Sequence, residues 1–314
     1  MANHDGNGWI RCGLGHRHWG RFGAAGLLAF AGAGAGARAG PGSGAGPGRT
    51  SVLLQRRNWR GHHGGTWGLP GGAMDSHETA IAAALREAAE ECAVPAGAVR
   101  VDGIFHDDHI GWSYDTVLAL ADAEFDVHPA SEETLEAVWV PVPEVTSFDL
   151  HPGLASHWDM LAALLQPLTV IVDAANVMGS RPDGWWRDRA GAARRLRDEL
   201  AWLAGTGLTE LPGSAGVPEL SLWLPDIVLV VEGAARPAAL AGPDPAGHEA
   251  SAAAQRKLTV IAAPGSGDDT IAEQAQRLAG WRIVVTADRE LRRRCEAAGA
   301  SVAGPGWLLG LLSR

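Results

Sequence analysis

The stretch LREAAEECAV, residues 85–94, places Glu87, Glu90 and Glu91 next to one another. On a helix of ~3.6 residues per turn, the three carboxylates fall within an arc of roughly 100°, and Arg86 is the nearby cation. Like charges four residues apart destabilise a helix, so the pair of Glu87 and Glu91 carries a cost. We therefore interpret this acidic face as a place for a cation.

The opposite face of this helix is apolar, and the loop before it is rich in glycine. Ile81, Leu85, Ala88 and Cys92 share one face, which we expect to pack while the acidic face meets a site. Mg²⁺ prefers carboxylate oxygens and bridges to substrate phosphates. The glycines of WGLPGG, residues 67–72, let the backbone approach such a substrate closely. The pattern predicts metal-assisted attack of water on a phosphoanhydride.

This region resembles the Nudix box, G-x5-E-x7-R-E-U-x-E-E-x-G-U. The fixed positions are matched by Gly72, Glu78, Arg86, Glu87, Glu90, Glu91 and Val94. One position departs, because Ala93 stands where the pattern has Gly. That Gly normally ends the helix in the left-handed conformation, which Ala adopts at a cost of roughly 1 kcal/mol. The resemblance implies a Nudix α/β/α sandwich with a mixed sheet over residues 1–166.

The resemblance also implies roles for the acidic residues and a class of substrate. Glu87, Glu90 and Glu91 would be catalytic residues and ligands of Mg²⁺ or Mn²⁺, and one of them would also activate water. Arg86 would orient a glutamate by ion pairing, and Glu78 would be structural at the helix start. The substrate would be a nucleoside diphosphate linked to another moiety.

Further residues are expected near the substrate or the metal. The candidate substrate-binding residues are Gly71, Gly72, Trp112 and Tyr114. Core packing is the favoured interpretation of the two aromatic residues, with a pocket lining as the alternative. Glu133 or Glu136 could supply a further ligand, and an exposed loop acid is an equally good interpretation.

The second half of the chain alternates apolar strand-like runs with helical segments. This alternation predicts a parallel sheet covered by helices. Asp173 ends a strand in VIVDAANV, Asp269 opens a helix in GDDTI, and Asp288 ends a strand in VVTAD. Parallel strands deliver their carboxyl ends to one edge of the sheet. Three acids there, with Asn176 beside the first, predict a second divalent-metal site, and two-metal sites of this kind cleave phosphodiesters.

This half resembles the NYN branch of PIN-like nucleases, and within it the YacP-like group. The matching segments, which span most of residues 168–314, are VDAANV, VVEGAAR, DDTIAEQA, VVTADREL and GASVAGPGWLL. The resemblance implies a PIN-like α/β domain that cuts RNA, with catalytic metal ligands Asp173, Asp269 and Asp288 and with Asn176 at the substrate. Glu232 stands where the group often has Asp, and Asp268 is either a ligand or a helix cap.

Two other sets of residues in this half could contact nucleic acid. Trp185 and Trp186, in a loop with Asp183, could stack on bases, but a packed loop is the favoured interpretation. Four arginines could contact phosphates or form a solvated helix face: Arg187, Arg189, Arg194 and Arg195.

Two competing classes of protein remain. In a sensor, the Nudix fold would bind a nucleotide without hydrolysis and regulate the attached RNA-binding or nuclease domain. Degenerate acids in the box would favour it, and all are present here. A Rossmann-like phosphate binder would require a glycine fingerprint after the first strand of the second half, and DAANVMGS is not one.

Composition and charge suggest two domains of different character. The chain has 314 residues and a net charge of −10. Residues 1–167 contain ten arginines against nineteen acids, whereas the rest of the chain is nearly balanced. Pro167 is the expected boundary between domains 1–166 and 168–314. The glycine- and alanine-rich segment 31–49 is expected to be a flexible hairpin loop.

The three cysteines lie far apart in the sequence, which indicates a reducing cytoplasm rather than a disulfide framework. Cys12 with His16 and His18 could form half of a zinc site, but a second cysteine pair is lacking, so a plain loop is favoured. The apolar run AAGLLAF starts too late for a signal peptide, and no run reaches the ~20 residues of a membrane span.

Overall fold

The computed structural model describes residues 4–32, 50–60, 63–239 and 258–313. The chain forms two compact units, Met1–Leu165 and Gln166–Arg314. Of the predicted flexible loop 31–49, all but the first two residues lie outside the described residues. That domains 1–166 and 168–314 fold independently stays a prediction.

The first unit contains strands and helices in mixed order. Its strands are β1 (Trp9–Arg11), β2 (Arg17–Trp19), β3 (Ala24–Ala31), β4 (Ser51–Arg57), β5 (Trp67–Gly68), β6 (Gly71–Ala73), β7 (Val99–Asp108), β8 (Ser113–Ala121) and β9 (Thr134–Pro141). Its helices are α1 (Ala80–Cys92), a 3-10 helix (Val142–Ser147) and α2 (Pro152–Ala163).

The sheet of the first unit is built around β3. All eight residues of β3 are buried, as its apolar sequence requires. This strand pairs in parallel with β8 and antiparallel with β6 and with the end of β4. Strand β4 also pairs antiparallel with β5 and β9, and β7 pairs antiparallel with β8. The mixed sheet confirms the predicted Nudix architecture. Strands β1 and β2 form a separate antiparallel hairpin.

Helix α1 begins and ends as its sequence predicts. The Thr79 side chain accepts a hydrogen bond from Ala82 N at the first turn. Ala93 adopts φ 57° and ψ 32°, the left-handed conformation that the Nudix pattern assigns to Gly. The amides of Ala93 and Val94 donate to the carbonyls of Ala89 and Ala88, both at 3.2 Å. The departure at Ala93 therefore leaves the geometry of the helix end unchanged.

The second unit is a parallel α/β sheet. Its strands are β10 (Leu168–Asp173), β12 (Asp226–Val231), β13 (Leu258–Ala262), β14 (Trp281–Val285) and β15 (Ser301–Ala303), and the short strand β11 (Leu222–Trp223) lies outside this sheet. Its helices are α3 (Ala174–Gly179), α4 (Arg189–Thr206), α5 (Gly267–Arg277), α6 (Arg289–Ala297) and α7 (Pro305–Leu312), with 3-10 helices at Trp185–Arg187 and Gly233–Ala239.

The parallel strands follow the order β13-β12-β10-β14-β15. The buried strand β10 lies at the centre, and the carboxyl ends of its neighbours share its edge. This arrangement confirms the predicted parallel sheet. Among the described residues, no helix is both long and apolar enough to cross a membrane.

Candidate functional site

Glu91 is the most buried of the three acids on helix α1, with 5% of its surface exposed. Its Oε2 accepts hydrogen bonds from Gln55 Nε2 at 2.7 Å and from Gly71 N at 2.8 Å. Burial raises the pKa of the Glu91 carboxyl to about 7, because water no longer solvates its charge. A cation at this position would restore the charged form.

Arg86 joins the acids of the helix to the loop before it. Its Nε and Nη2 donate to the two carboxylate oxygens of Glu78 at 2.7 and 2.9 Å. Its Nη1 donates to Glu87 at 2.8 Å and to Glu90 at 3.3 Å. Hydrogen bonding by Arg86 lowers the pKa of Glu78. Arg86 thus holds Glu87 in place while Glu78 anchors the guanidinium.

Two glycines of strand β6 let the acids approach the backbone. A Cβ on Gly72 would lie 2.5 Å from Glu87 Oε1, and a Cβ on Gly71 would clash with Ala25 O. Burial raises the pKa of Glu87, and the charge of Glu90 adds to this effect. Glycine at position 72 therefore makes room for the Glu87 carboxylate, whereas glycine at position 71 lets β6 pair closely with β3.

Glu91 borders a cleft of about 260 Å³, which is lined by Arg57, Asn58, Arg60, Glu91, Glu132 and Glu133. The two candidates for a further ligand separate here. Glu133 lines the cleft, whereas Glu136 is half exposed and pairs with Arg56 at 2.9 Å. The sequence did not indicate Arg57 and Arg60, because arginines at or just after the end of a strand carry no motif of their own.

The donor set on this helix fits a hard divalent cation. Glu87 and Glu91 present carboxylates whose protonated forms are favoured by burial, and Glu90 is 52% exposed beside them. Mg²⁺ and Mn²⁺ prefer such oxygens and retain waters on their open side. We name Glu87, Glu90 and Glu91 the helix carboxylates.

The two aromatic candidates lie in different surroundings. Trp112 Nε1 donates to Gly20 O at 3.0 Å, and its ring stacks on His18 at 3.9 Å. Tyr114 lies against Gly26, where a Cβ would clash with its hydroxyl. Desolvation raises the pKa of Tyr114, and the charges of Glu91 and Glu87 add to it. Tyr114 is therefore the aromatic residue that lies near the helix carboxylates.

In the second unit, Asp173 is 4% exposed at the end of β10. Its Oδ1 accepts from Asn176 N at 3.0 Å, and its Oδ2 accepts from Asn176 Nδ2 at 2.6 Å and from Thr286 Oγ1 at 2.9 Å. Asn176 Oδ1 accepts in turn from Ala287 N at 3.2 Å. Asp173 and Asn176 thus link β10 to the segment after β14.

Three further acids lie at this edge of the sheet. Asp288 Oδ1 caps helix α6 by accepting from Glu290 N and Leu291 N at 2.8 and 2.7 Å. Glu232 Oε2 accepts from Gly267 N at 2.7 Å at the start of α5. The pKa of Asp268 is raised by desolvation and then by the charges of Asp173, Asp288 and Glu232. We name Asp173, Glu232, Asp268 and Asp288 the sheet-edge acids.

The side chain of Asp269, the predicted third ligand, points to solvent. Its side chain is 74% exposed and pairs with Arg294 Nη2 at 2.8 Å. Adjacent residues on a helix are rotated by about 100° from each other, and in α5 this rotation turns Asp269 to solvent. In this structure Asp268 rather than Asp269 lies near the other acids, and which of the two binds a metal stays a prediction.

The two loop tryptophans, Trp185 and Trp186, differ in how far they are exposed. Trp186 is 57% exposed, whereas Trp185 is partly covered by the guanidinium of Arg189, which lies 5.4 Å from its ring centroid. Trp185 N donates to Asp183 Oδ1 at 3.1 Å, and Arg195 lies 3.8 Å from Asp183. The packed-loop interpretation therefore applies to Trp185.

The structure adds one residue to the suspected half-site of Cys12, His16 and His18. One ligand atom from each of these and from His109 lies within 4.8 Å of the others, and this is the sole group of that kind among the described residues. His109 lies far from the first three in sequence, so no spacing could have revealed it. Whether Cys12 belongs to a metal site or to a plain loop stays a prediction at this point.

Comparison with known proteins gives a consistent result for the first unit. The NUDIX domain family matches residues 45–164. A protein of Mycobacterium tuberculosis with the provisional name 8-oxo-dGTP diphosphatase 3 is 41% identical over 163 residues, covering 50% of this chain and 69% of that protein. The crystal structure of the Nudix hydrolase RenU from M. smegmatis is 40% identical and covers 51% of this chain and 94% of that one, with a TM-score of 0.43.

Another solved structure is similar to this chain at lower identity. The crystal structure of YacP from Bacillus subtilis is 16% identical and covers 46% of this chain and 74% of that one, with a TM-score of 0.32.

Proposed function

Because the chain belongs to the Nudix family, we propose that its first unit hydrolyses a phosphoanhydride bond of a nucleoside diphosphate derivative with Mg²⁺ or Mn²⁺. The observation that carries this proposal is the set of helix carboxylates beside the cleft that Arg57 and Arg60 line. All acids of the Nudix pattern are present, which favours hydrolysis over a sensor that binds without turnover.

The roles of the side chains follow from their contacts. Glu87, Glu90 and Glu91 would hold the cation, which when bound stabilises charge on the phosphates and makes water more acidic. Arg86 keeps Glu87 oriented through its contact at 2.8 Å. Arg57 and Arg60 line the cleft and supply positive charge for phosphate oxygens. Glu133 lines the same cleft, and we propose that it accepts a proton or completes the ligand set.

The substrate is proposed as a nucleotide that yields a nucleoside monophosphate. The name of the mycobacterial relative adds 8-oxo-dGTP to the candidates. The test uses a panel of 8-oxo-dGTP, dGTP, ADP-ribose and a dinucleoside polyphosphate, each with Mg²⁺ or Mn²⁺, and chromatography to detect the monophosphate. We expect at least one substrate to be hydrolysed only with metal.

Variants of the acids decide whether this unit carries the activity. Glu91→Gln should reduce the rate by orders of magnitude, because the neutral amide binds a cation weakly. Glu136→Gln is the matched control, since Glu136 pairs with Arg56 away from the cleft, and it should keep the parent rate. Tight nucleotide binding without hydrolysis of any substrate would support the sensor. A Glu91→Gln protein as active as the parent would refute the assignment.

For the second unit we propose a metal-dependent ribonuclease. The supporting observation is the convergence of the sheet-edge acids at the carboxyl end of a parallel sheet, where such folds bind ligands. Carboxylates gathered in this way can hold the two metal ions that cleave phosphodiesters. Incubation of single-stranded RNA with the full chain and Mn²⁺ tests it, with Asp288→Asn as the inactive variant. Equal cleavage by parent and variant would contradict the proposal.

A further inference from the structure

The N-terminal hairpin and the turn between β7 and β8 bring together one thiol and three imidazoles. Cys12, His16, His18 and His109 each offer a ligand atom, and these atoms lie within 4.8 Å of one another. We name these four residues the Cys–His cluster. It is separate from the helix carboxylates and does not depend on the proposed hydrolase activity.

Short-range backbone contacts position the first three residues. Cys12 N donates to His16 O at 3.0 Å, and Gly15 N donates to Cys12 O at 2.9 Å, which closes a tight turn at the end of the β1–β2 hairpin. His18 follows within β2, where it pairs with Ile10. Cys12 is buried although it belongs to a loop. The turn therefore holds the thiol and the two imidazoles on one side of the hairpin end.

The turn after β7 supplies the fourth residue. His109 N donates to Trp112 O at 2.8 Å, and Gly13 N donates to Ile110 O at 2.7 Å, which joins this turn to the N-terminal hairpin. The ring of Trp112 stacks on His18 and fixes its orientation. Two segments that are distant in sequence thus meet through backbone contacts as well as through the cluster.

The orientation of His109 is that of a metal ligand. Its Nε2 lies 3.0 Å from Asp107 Oδ2. Because the carboxylate accepts a hydrogen bond from Nε2–H, the neutral ring carries its free lone pair on Nδ1. That Nδ1 atom is buried and has no hydrogen-bond partner within the described part of the chain. Carboxylates hold metal-binding histidines in this way and fix the tautomer that binds.

From this geometry we propose that the Cys–His cluster binds one structural Zn²⁺ ion. One thiolate and three imidazoles match the preference of zinc for nitrogen and sulfur ligands, and they suit Mg²⁺ poorly. In a tetrahedral site with bonds of roughly 2.0–2.3 Å, ligand atoms lie about 3.3–3.8 Å apart. The cluster reaches this spacing when its side chains close by about 1 Å.

Metal binding would tie the two turns together. Four protein ligands leave no open position on zinc, so the ion holds structure rather than activating water. A Zn–S bond forms with Cys12 as the thiol proton leaves to solvent. Asp107, which contacts His109, contributes negative charge that balances the bound ion. The N-terminal hairpin is thereby fixed to the turn between β7 and β8.

The test measures zinc in the full chain, purified without a polyhistidine tag and without chelators. Inductively coupled plasma mass spectrometry should find about one zinc per chain in the parent. The variants His109→Gln and Cys12→Ser should contain less than about a tenth of this amount. His106→Gln is the matched control, because His106 lies three residues away in β7 but pairs with Asp115 at 2.6 Å, and it should retain zinc.

Two further variants distinguish zinc in the Cys–His cluster from zinc bound elsewhere in the chain. Asp107→Asn should weaken zinc affinity by about 10–100-fold in competition with a chromogenic chelator. Glu91→Gln should keep its zinc, and loss there would assign the ion to the helix carboxylates. A parent with less than about a tenth of a zinc ion per chain, or full zinc in His109→Gln, would overturn the proposal. If Cys12→Ser does not fold, His109→Gln and its control still decide the question.

Discussion

The helix carboxylates and the sheet-edge acids are two acidic clusters that are built differently. The first cluster comes from one helix, and its members contact Arg86, Gln55 and the glycine strand β6. The second comes from four separate segments that meet at one edge of a parallel sheet. Two of its members, Asp173 and Asp288, also cap helices α3 and α6. An acid that caps a helix has a structural reason to be there, so its presence alone is weaker evidence for catalysis.

This difference explains how much the sequence could predict. Helical periodicity fixes which residues of one helix share a face, so spacing predicted that Glu87, Glu90 and Glu91 lie together. The left-handed conformation of Ala93 was implied by the resemblance to the Nudix box. The alternating pattern also predicted the parallel sheet and the edge that Asp173 and Asp288 occupy. It did not fix the rotation of helix α5, which decides between Asp268 and Asp269.

Residues that reach a site from another element escaped prediction for a related reason. Gln55 contacts Glu91 from strand β4, and His109 meets Cys12 from the turn after β7. Arg57 and Arg60 border the cleft only because β4 runs past helix α1. None of these positions belongs to a local pattern, and each depends on the pairing of distant strands.

The largest expected effect concerns the two adjacent aspartates of α5. Asp268→Asn should abolish Mn²⁺-dependent cleavage of single-stranded RNA by the full chain, because Asp268 faces the other sheet-edge acids. Asp269→Asn should keep the parent rate, because it loses only an exposed pair with Arg294, worth about 0–1 kcal/mol. Initial rates on a labelled RNA measure both. The reverse result would show that α5 is rotated on metal binding and would restore Asp269 as the ligand.

Next in size is a loss of stability at Asp173. All the groups that contact its carboxylate are donors: Asn176 N, Asn176 Nδ2 and Thr286 Oγ1. In Asp173→Asn, the side-chain N–H would replace one carboxylate oxygen and face a donor of Asn176, so that hydrogen bond would be lost. Asp173→Asn should therefore lower the free energy of unfolding by about 1–3 kcal/mol. Urea unfolding without added metal measures it, and unchanged stability would argue that Asp173 has no structural role.

At Glu91, replacing the acid by its amide is expected to raise the free energy of unfolding rather than lower it. Its pKa is raised from 4.5 to about 7 in the fold, so the folded protein binds a proton more tightly than the unfolded chain. Stability of the metal-free parent should fall as pH rises from about 4.5 to about 7, and remain lower above it. Glu91→Gln should remove this dependence and raise the free energy of unfolding at pH 7.5 by about 1–3 kcal/mol.

A control for this prediction is Glu78, which lies in the loop before helix α1. The pKa of Glu78 is lowered by its hydrogen bonds with Arg86. Because the fold stabilises its charged form, Glu78→Gln should lower the free energy of unfolding at neutral pH. At acidic pH, where Glu78 is protonated, the variant and the parent should differ less in stability. Denaturant midpoints across pH, without added Mg²⁺ or Mn²⁺, measure both variants. Destabilisation by Glu91→Gln at pH 7.5 would show that hydrogen bonds from Gln55 and Gly71 outweigh the cost of burying the charge.

The smallest expected effect on stability concerns the alanines that end helices α1 and α6. Ala93 holds φ 57°, a conformation that costs an L-residue about 1–2 kcal/mol, whereas Ala298 ends helix α6 at φ −84° without such a cost. Glycine relieves the strain at Ala93 but adds about 0.4–1 kcal/mol of chain entropy to the unfolded state at either position. Ala93→Gly should therefore raise the free energy of unfolding by about 0.5 kcal/mol, and Ala298→Gly should lower it by a similar amount. Chemical denaturation of the two variants beside the parent measures these shifts. Equal destabilisation by both would mean that Ala93 bears no strain in the folded protein, and that the missing glycine of the Nudix pattern is replaced at no cost to this helix.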